Sequence, residues 1–483
     1  MRLKHVINIL ILLGFLIYDI LNAQNFNDAL RLSEPGLGSS ARALSLGNSY
    51  TALSNDFSGG FFNPAGLGLI KKQQLFGGFS YNNFNNDVKF FNNRNSSSKS
   101  STDLNQFGFV FPVPTSRGSL VFSIGYNRNK DFTGILGFNG FNNQPNSMIQ
   151  DLTYGNDDIA FLLGVSYPLY DANDNYLGDT TVINGRLNQT GNILREGSIN
   201  NYAFSGAIEV AENVFVGATF NILSGDYKNS REYTEEDTRN IYQGLTDPAD
   251  STTFDFQSFT INDILSWDIS GWNLKFGVLY KLNPIINLGA TIKLPSKFKI
   301  KESYFVRGNS FFGTGQQFTL DPPIDNRTEY NIKTPFEFSA GAALNLGSAT
   351  LTGQFNFIDY TQMKFEDGLP QSVISQNNQD INNIFRSVVN YNFGFEYLLP
   401  FVNVAARGGF IYQKSAFKND PSEFDKKYFT AGLGIAPDSD FSVDLAYAHG
   451  WWQTFADNYG VNESRTFQDI KKDTFILTFV YKY

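Results

Sequence analysis

Side chains able to perform covalent chemistry are scarce in this sequence. It contains no cysteine and only two histidines, His5 and His449. The absence of cysteine excludes a thiol nucleophile, a disulfide framework and a cysteine-ligated metal site. His449 lies near the end of a predicted strand beside Trp451, and no Gly-x-Ser-x-Gly motif accompanies it. We therefore expect no enzymatic activity, no cofactor and no metal centre.

Two short motifs match known binding loops by spacing alone. Residues 36–41 (Gly-x-Gly-x-x-Ala) have the spacing of a dinucleotide fingerprint, but no strand precedes them and no βαβ unit surrounds them. Residues 171–175 (Asp-x-Asn-x-Asn) begin like a calcium loop, yet Tyr176 stands where that loop requires glycine. We interpret both as ordinary loop segments that bind neither nucleotide nor calcium.

Three basic residues on predicted strands could bind an anionic group. Lys275, Lys293 and Arg407 fall on the polar faces of alternating segments, and arginine can hold a carboxylate through two parallel hydrogen bonds. They are our candidates for binding the head group of an amphipathic ligand. The alternative is structural, because buried charges need partners, and Glu396 with Arg407 on an adjacent strand would form such a pair. The sequence leaves both interpretations open.

The composition limits the class of protein. The chain has 483 residues, of which 16% are aromatic and 17% charged, and its formal net charge is -9. An acidic chain argues against nucleic acid as a partner, because phosphates require a basic surface. Beyond the N-terminus no apolar run reaches about 18 residues, which excludes a multi-span helical membrane protein. No linker or change of composition divides the chain, so we expect one large unit.

The N-terminus has the pattern of a secretory signal peptide. Arg2 and Lys4 form a short basic region, residues 6–18 are largely apolar, and Ala23 supplies a small residue at the cleavage position. The apolar stretch is too short to span a membrane as a helix. We predict cleavage after Ala23, which leaves an exported acidic chain beginning at Gln24.

From about residue 72 onward, apolar and polar residues alternate with a period of two, as on the two faces of a β-sheet. Residues 272–280 and 336–346 each place apolar side chains on one face and polar, small or charged side chains on the other. Segments of about ten residues with this pattern, joined alternately by short turns and long polar loops, are typical of outer-membrane barrels. We predict a closed antiparallel transmembrane β-barrel of about 14 strands over residues 72–483, with its short turns in the periplasm. Residues 159–169 do not fit this count and are assigned to an outer loop.

The last predicted strand ends at an aromatic residue. Phe475, Leu477, Phe479, Tyr481 and Tyr483 share one face of this strand. An apolar face in register up to an aromatic end resembles the recognition signal by which outer-membrane barrels are assembled. We therefore predict that Phe479, Tyr481 and Tyr483 form the assembly signal, with the barrel assembly machinery as a partner.

The segment before the predicted barrel does not alternate. Its Gly and Ala content suits a compact piece packed inside something larger. It contains, in order, Gly-Leu-Gly at 36–38, an Arg-Ala…Gly block at 42–47, Asp56, and Asn63-Pro64-Ala65-Gly66. This arrangement resembles the N-terminal hatch of the FadL/TodX (OmpP1) family of outer-membrane transporters for long-chain fatty acids and other hydrophobic compounds. We predict a signal peptide at 1–23, a hatch at 24–71 inside the lumen and the barrel at 72–483.

The resemblance implies a mechanism of passive uptake. In the family, the ligand enters from outside, binds in the lumen, and leaves sideways through a kinked strand when the hatch shifts. Gly125 faces inward in the third predicted strand and is our candidate for that kink, because glycine weakens a ladder and permits bulges. The alternative is a glycine that serves the fold alone. We expect a monomer in the outer membrane of a Gram-negative cell, in contact with outer-membrane lipid. Its ligand would be a hydrophobic small molecule such as a long-chain fatty acid.

Two other functions are compatible with the same fold. A barrel of this family could serve a protein-secretion machine as an interaction protein, and a stable protein partner would distinguish that role. An open hydrophilic porin is the other alternative, and the predicted hatch argues against it. The identity of the ligand does not follow from the outer loops, which include low-complexity stretches such as residues 96–101.

Overall fold

A computed structural model describes residues 24–155, 158–436, 440–460 and 462–483. The predicted signal peptide, residues 1–23, lies outside this part of the chain. The described residues are mostly antiparallel β-strand, and 14 strand positions close into one barrel. Among the described residues, no helix is both long enough and apolar enough to cross a membrane.

The strands are numbered in chain order. The first nine are β1 (Gln74–Phe90), β2 (Asn93–Val113), β3 (Leu120–Asp131), β4 (Gly134–Phe141), β5 (Tyr167–Tyr170), β6 (Tyr176–Thr180), β7 (Asn188–Ala211), β8 (Val214–Glu236) and β9 (Phe256–Lys281). The others are β10 (Ile286–Lys293), β11 (Lys297–Phe312), β12 (Gln317–Thr319), β13 (Ile324–Lys333), β14 (Glu337–Leu346), β15 (Ala349–Asp359), β16 (Lys364–Phe365), β17 (Ser387–Leu398), β18 (Val404–Gln413), β19 (Lys426–Ile435), β20 (Phe441–Asp457) and β21 (Arg465–Lys482).

The helices are short and begin at side-chain caps where the chain offers them. They are α1 (Phe26–Ser33), α2 (Ala41–Ser45), α3 (Met148–Thr153), α4 (Ile159–Leu162) and α5 (Gln371–Ile384). At the start of α1, the Asn25 side chain accepts a bond from the Asn27 N–H and the Asp28 side chain accepts one from the Asn25 N–H, both 2.9 Å. At α2, the Ser40 hydroxyl accepts a bond from the Ala43 N–H (3.3 Å). Such caps satisfy N–H groups that a helix end leaves unpaired.

Antiparallel pairing closes the ring, because β1 pairs with β2 on one side and with β21 on the other. Three wall positions consist of two consecutive strands: β3 with β4, β10 with β11, and β13 with β14. β5 and β6 form a separate two-stranded sheet. With α4 they lie in the long loop between β4 and β7, so residues 159–169 belong to this loop and not to the wall.

Alternation along the strands sets the two faces of the wall. On β9, Trp272, Phe276 and Val278 are between 43% and 45% exposed on the outer face, whereas Asn273 and Leu279 are buried on the inner face. A charge on the lipid face would cost about 2 to 4 kcal/mol at the bilayer midplane, and the outward residues of this span are apolar. The predicted fold class, an antiparallel transmembrane barrel of 14 strands, is confirmed.

Residues 24–71 contact the wall from inside, on opposite sides of the ring. α2 packs against β18 to β21, whereas the 3-10 helix Pro64–Leu69 packs against β3 and β7 to β9. Apolar residues of α1 belong to a cluster with inward residues of β9, β11 and β13, including Trp267, Ile300 and Tyr330. Because this one segment touches strands all round the ring, it crosses the space that the barrel encloses.

The final strand carries its aromatic residues as the alternation predicts. Phe479 and Tyr481 lie on the outer face of β21, Tyr483 directly follows its last residue, and the two tyrosines are exposed. Thr478 is buried on the inner face, where its hydroxyl accepts a bond from the Ala41 N–H (3.2 Å). The role of the aromatic face as an assembly signal stays a prediction.

That role can be tested with one substitution on each face. We expect Tyr483→Asp to leave the chain in the periplasm, unfolded or degraded, because a charge replaces the terminal aromatic ring. Thr478→Ser keeps the inner hydroxyl and should reach the outer membrane as the unmodified chain does. Membrane fractionation and heat-modifiability electrophoresis measure both variants. Equal amounts of the two in the outer membrane would contradict the assembly role.

Candidate functional site

A cavity of about 840 Å³ lies between the N-terminal segment and one side of the wall, and we call it the outer cavity. Residues 25–38 form its inner side, and β1 to β3 with β19 to β21 form most of its outer side. The rings of Phe84 and Tyr428 lie 6.3 and 6.2 Å from that of Trp452. Aromatic rings line one part of this space and many polar and charged side chains line the rest, so it suits an amphipathic ligand better than a purely apolar one.

Charged groups meet beside the C-terminal end of α1. The Lys130 ammonium donates to the carbonyl oxygens of Arg31 (2.6 Å) and Glu34 (2.9 Å), which stabilises the helix end. Lys426 donates to both carboxylate oxygens of Glu34 at 2.8 Å. Burial favours the neutral form of Glu34, but the ammonium groups of Lys426 and Lys130 outweigh it and lower its pKa below the ordinary value.

Cations outnumber carboxylates around the outer cavity. Its lining contains six basic and four acidic side chains: Arg31, Arg128, Lys130, Arg195, Lys426 and Lys472, with Glu34, Asp131, Asp420 and Asp457. Lys130 and Arg195 have no carboxylate within ion-pair distance among the described residues. Arg195 instead donates to the Asn229 side-chain oxygen (3.3 Å). Both side chains already donate to uncharged oxygens, and the N–H groups that these bonds leave over are what the cavity offers to an anionic group.

A bulge in β3 turns Lys130 into the lumen. The register between β3 and β7 shifts between Arg128 and Lys130, so Asn129 is the extra residue. Strict alternation from the buried Asn127 would point Lys130 outward, and the extra residue reverses the faces beyond it. Sequence reasoning missed Lys130 for this reason. The local signal for it is the polar run 128–131 (Arg-Asn-Lys-Asp), which interrupts the alternation.

The wall has a gap between β2 and β3. Their ladder runs from the pair Val113–Leu120 to the pair Gln106–Asn127 and stops there. Beyond that point, within the described chain, residues 93–105 pair with β1 alone. Residues 128–141 pair with β7 alone. On the side of the long loops the gap is bounded by β4, which packs against β1 and β2: the Asn93 side-chain amide donates to the Asn139 carbonyl oxygen (2.9 Å), and that of Asn86 to the Ile135 carbonyl oxygen (2.8 Å).

Side chains bridge this gap in place of backbone hydrogen bonds. Arg128 forms an ion pair with Asp103 across it, and Lys99 forms another with Glu196 (2.9 Å). Six buried polar atoms here have no hydrogen-bond partner among the described residues: Ser101 Oγ, Asp103 Oδ2, Asn105 Oδ1, Gln106 Oε1, Asn127 Oδ1 and Arg128 Nε. Because no ladder closes the wall at this point, widening the gap breaks side-chain contacts only.

Two bulged asparagines connect the gap with the N-terminal segment. Asn105 is the extra residue where the register of β1 and β2 shifts, and its side-chain amide donates to the Ser39 carbonyl oxygen (2.9 Å). The Asn129 carbonyl oxygen lies so close to Gly36 that a Cβ there would come within 1.9 Å of it. Residues 36–39 therefore contact both edges of the gap.

A second, polar cavity of about 110 Å³ adjoins residues 34–36, and we call it the inner cavity. Eight asparagines line it: Asn48, Asn129, Asn201, Asn221, Asn273, Asn356, Asn390 and Asn392. Two of the predicted cations, Lys275 and Lys293, also line it. Lys275 donates to the Phe61 carbonyl oxygen, and Lys293 forms an ion pair with Glu337.

The third predicted cation, Arg407, lines neither cavity. Its Nε donates to Glu396 (2.6 Å), its Nη1 pairs with Asp444, and its side chain is 6% exposed. Arg42 of the N-terminal segment also reaches Glu396 (3.2 Å). The structure thus contains the pair of Glu396 and Arg407 on adjacent strands that the structural alternative requires. It does not bring Arg407 together with Lys275 and Lys293.

The motif Asn63-Pro64-Ala65-Gly66 fastens the N-terminal segment to the wall. The Asn63 amide donates to the carbonyl oxygens of Thr51 (2.8 Å) and Val278 (3.0 Å). A Cβ at Gly277 would come within 2.0 Å of Asn63 Oδ1, and one at Gly66 within 2.3 Å of the Ser54 carbonyl oxygen. Glycine at these two positions allows the turn to lie directly on the inner face of β9.

Gly125, the predicted kink, lies in a regular part of β3. It pairs in register with Gly108 of β2 and Ala203 of β7. A Cβ at this position would come within 2.6 Å of the Phe57 ring, so Gly125 provides room for the N-terminal segment. The irregularity of β3 lies further along the strand, at Asn129.

Comparison with known families decides which proteins this chain is related to. Residues 20–474 match the family model for outer membrane protein transport proteins of the OMPP1/FadL/TodX type. The chain belongs to this family. The predicted resemblance is confirmed, and with it the location in the outer membrane. Members of the family are transport proteins for hydrophobic small molecules and not enzymes.

Solved structures share the fold at low sequence identity. A Pseudomonas aeruginosa FadL homologue is 12% identical, with a TM-score of 0.56 over 93% of this chain and 99% of its own. The Pseudomonas putida toluene transporter TodX is 12% identical, with a TM-score of 0.54 over 93% and 99%. The CymD monoaromatic hydrocarbon channel is 12% identical, with a TM-score of 0.51 over 92% and 98%. No curated protein matches the sequence.

Among the described residues, no group of three acidic or histidine side chains could hold a metal ion.

Proposed function

We propose that this transporter carries amphipathic hydrophobic compounds passively from the outer cavity sideways into the membrane, through the gap between β2 and β3. Residues 24–71 act as the hatch that closes the direct route across the lumen. A long-chain anion such as a fatty acid fits the cavity better than a neutral hydrocarbon does. The protein works as a monomer, since one chain closes the barrel and contains both cavity and gap.

The observation that carries this proposal is that the outer cavity and the gap share residues. Asn105, Arg128 and Lys130 line the cavity and also stand at the edges where β2 and β3 separate. A ligand in the cavity is therefore separated from the outside of the barrel by one layer of side chains. Outside, the exposed residues of β2 along the gap are Ser98, Ser100 and Thr102. The apolar surface begins at the end of the gap nearer the short turns, where Leu104 and Ile124 are 46% and 52% exposed. The exit thus opens at the outer edge of the apolar belt.

The direct route to the periplasm is unfavourable for an apolar chain. It leads through the inner cavity, whose lining consists largely of asparagine amides with Lys275 and Lys293. An apolar chain there would displace water from these groups without replacing its hydrogen bonds, at a cost of about 1 to 3 kcal/mol for each polar group. Sideways exit requires only that the side chains bridging the gap move apart.

The unpaired cations support an anionic head group. Lys130 and Arg195 reach the outer cavity without a carboxylate partner among the described residues, and an ionised carboxylate makes the stronger hydrogen bonds with such donors. The structural relatives TodX and CymD are described as channels for toluene and monoaromatic hydrocarbons, which are neutral. The cations of this chain favour an acid over such compounds.

The gap can be closed by a covalent crosslink between two introduced cysteines. The crosslink is specific because the chain contains no cysteine of its own. In the variant Asp103→Cys/Arg128→Cys, a short bifunctional thiol reagent would join β2 to β3. We expect the joined protein to bind fatty acid as before but to lose uptake down to the level of cells without the transporter. The same variant before joining should transport at least as well as the unmodified chain, because its ion pair is gone. Uptake of labelled oleate measures both states.

A matched pair in the closed part of the wall provides the control. Asn85 of β1 and Lys471 of β21 lie directly opposite each other, and joining Asn85→Cys to Lys471→Cys should leave uptake unchanged. Unchanged uptake after joining Asp103→Cys to Arg128→Cys would contradict sideways exit at this gap. Failure of the unmodified barrel to bind or transport any ligand would instead favour the secretion-associated role.

A further inference from the structure

Three lysines lie side by side on the outer face of the barrel, and we call them the lysine row. Lys297 of β11 lies directly opposite Lys333 of β13, which lies directly opposite Lys364 of β16. The adjacent residues on the same strands are buried in the interior: Phe298, Ile332 and Phe365. Because successive side chains of a strand point to opposite faces, the three lysines point outward.

The lysine row lies at the outer rim of the apolar belt. Lys297 also pairs with Trp272 of β9, and its ammonium lies 5.9 Å from the Trp272 ring. Trp272 is the last outward apolar residue before Ser270 and Asp268 on that strand. Aromatic side chains at such a position mark the membrane–water interface, and the long loops on this side mark the outer leaflet.

This arrangement is unfavourable for the barrel alone. Like charges directly opposite on neighbouring strands are destabilising, and here three strands in succession present them. None of the three lysines forms an ion pair with a described residue, whereas the nearby Lys299 pairs with Glu329 (2.6 Å). An anion from outside the chain would neutralise the row.

We propose that the lysine row binds the phosphorylated head group of a glycolipid in the outer leaflet. Its phosphates lie on the three lysines, and its acyl chains run down the wall from Trp272. An apolar groove of about 740 Å³ lies on this part of the outer surface. Its floor includes Gly206 and Ala218, where small side chains leave space between the rings of Phe122 and Phe276.

The groove is within reach of a lipid held by the row. Phe276 lies on the same face of β9 as Trp272, four residues nearer the short turn, which is about 13 Å along a strand. An acyl chain is longer than this. The lipid would therefore contact the wall through both ends, its phosphates at the rim and its chain in the groove. This inference concerns the outer surface and is independent of what the lumen carries.

Lipid retained through purification tests the proposal. We compare the unmodified protein with the variant Lys297→Gln/Lys333→Gln/Lys364→Gln, both extracted from outer membranes in mild detergent, and quantify bound lipid A by native mass spectrometry. One lysine near an anionic surface contributes about fivefold in affinity. The affinity of the triple variant for lipid A should therefore be on the order of a hundredfold lower than that of the unmodified protein. The corresponding arginine triple should retain the lipid.

A comparison triple on the far side of the barrel removes the same charge, and one of its members, Lys471, forms an exposed ion pair with Asp87 (3.3 Å). Lys89→Gln/Lys427→Gln/Lys471→Gln, on β1, β19 and β21, should retain lipid A as the unmodified protein does. Equal lipid loss in both triples, or lipid retained in both, would overturn the proposal.

In lipid-free detergent the first triple should melt no lower than the unmodified protein, because like charges are removed. Added lipid A should raise the melting temperature of the unmodified protein but not that of the first triple variant. A lower melting temperature of the lipid-free triple would also overturn the proposal, since the lysines would then stabilise the fold itself.

Discussion

Replacing Gly277 by Leu is expected to open the barrel to small solutes while the wall stays folded. Gly277 faces inward on β9, where a Cβ would lie 2.0 Å from Asn63 Oδ1 and 3.0 Å from the Pro64 ring. The new side chain would therefore push this turn off the wall and break the bond from Asn63 to Val278. With the proposed hatch displaced, liposome-swelling rates with small sugars should rise severalfold, and cells should become sensitive to vancomycin.

A strand glycine that faces away from the N-terminal segment is the control for this experiment. A Cβ at Gly353 of β15 would meet nothing closer than the Phe393 ring at 3.8 Å, so Gly353→Ala should leave swelling rates unchanged. Circular dichroism of both variants checks that the strands are intact. If Gly277→Leu folds and its swelling rate stays at the unmodified level, the motif at 63–66 does not fasten a hatch.

Replacing Arg407 by Met is expected to destabilise the barrel and to leave ligand binding in the outer cavity unchanged. Arg407 is 6% exposed and pairs with both Glu396 and Asp444. Removing Arg407 leaves Asp444 without its arginine partner and Glu396 with Arg42 alone, and breaking such a buried pair costs about 3 to 5 kcal/mol. Guanidinium unfolding in lipid vesicles measures the free energy of unfolding, and fluorescence titration with a labelled fatty acid measures binding.

An exposed ion pair provides the comparison for Arg407. Arg327 pairs with Asp325 at the surface, where the arginine side chain is 78% exposed, so Arg327→Met should cost no more than about 1 kcal/mol. The two variants remove the same functional group and differ in burial. Weaker binding of the anion by Arg407→Met with unchanged stability would restore Arg407 as a ligand-binding residue.

The wall and its two faces could be predicted wherever a strand is regular. On β9 and β14 the period-two pattern correctly assigned Trp272 and Phe338 to the outside and Lys275 and Glu337 to the inside, because each residue's face follows from its distance to its neighbours in sequence. The family could be predicted because the hatch motif stands between a signal-like N-terminus and such a wall.

The outer cavity could not be predicted in the same way. Lys130 faces the lumen only because Asn129 is an extra residue, and a bulge reverses the faces without any change in composition. The contact of Lys426 with Glu34 joins residues at opposite ends of the chain, which no local pattern encodes. The gap follows from where the ladder between β2 and β3 stops, which depends on the twist and register of the whole ring.

The gap between β2 and β3 also has a consequence for rates. Separating paired strands is a collective motion of microseconds to milliseconds, whereas exposed side chains change rotamer in picoseconds to nanoseconds. The contacts that close the gap are those of side chains such as Arg128 and Asp103, which are 16% and 21% exposed, so dissolved ions screen this pair only weakly. Under the proposed sideways exit, permeation and stability of this barrel depend on different bonds. Natural variation at the gap would then change how fast a ligand leaves, while the hydrogen-bond ladder that holds the ring together stays as it is.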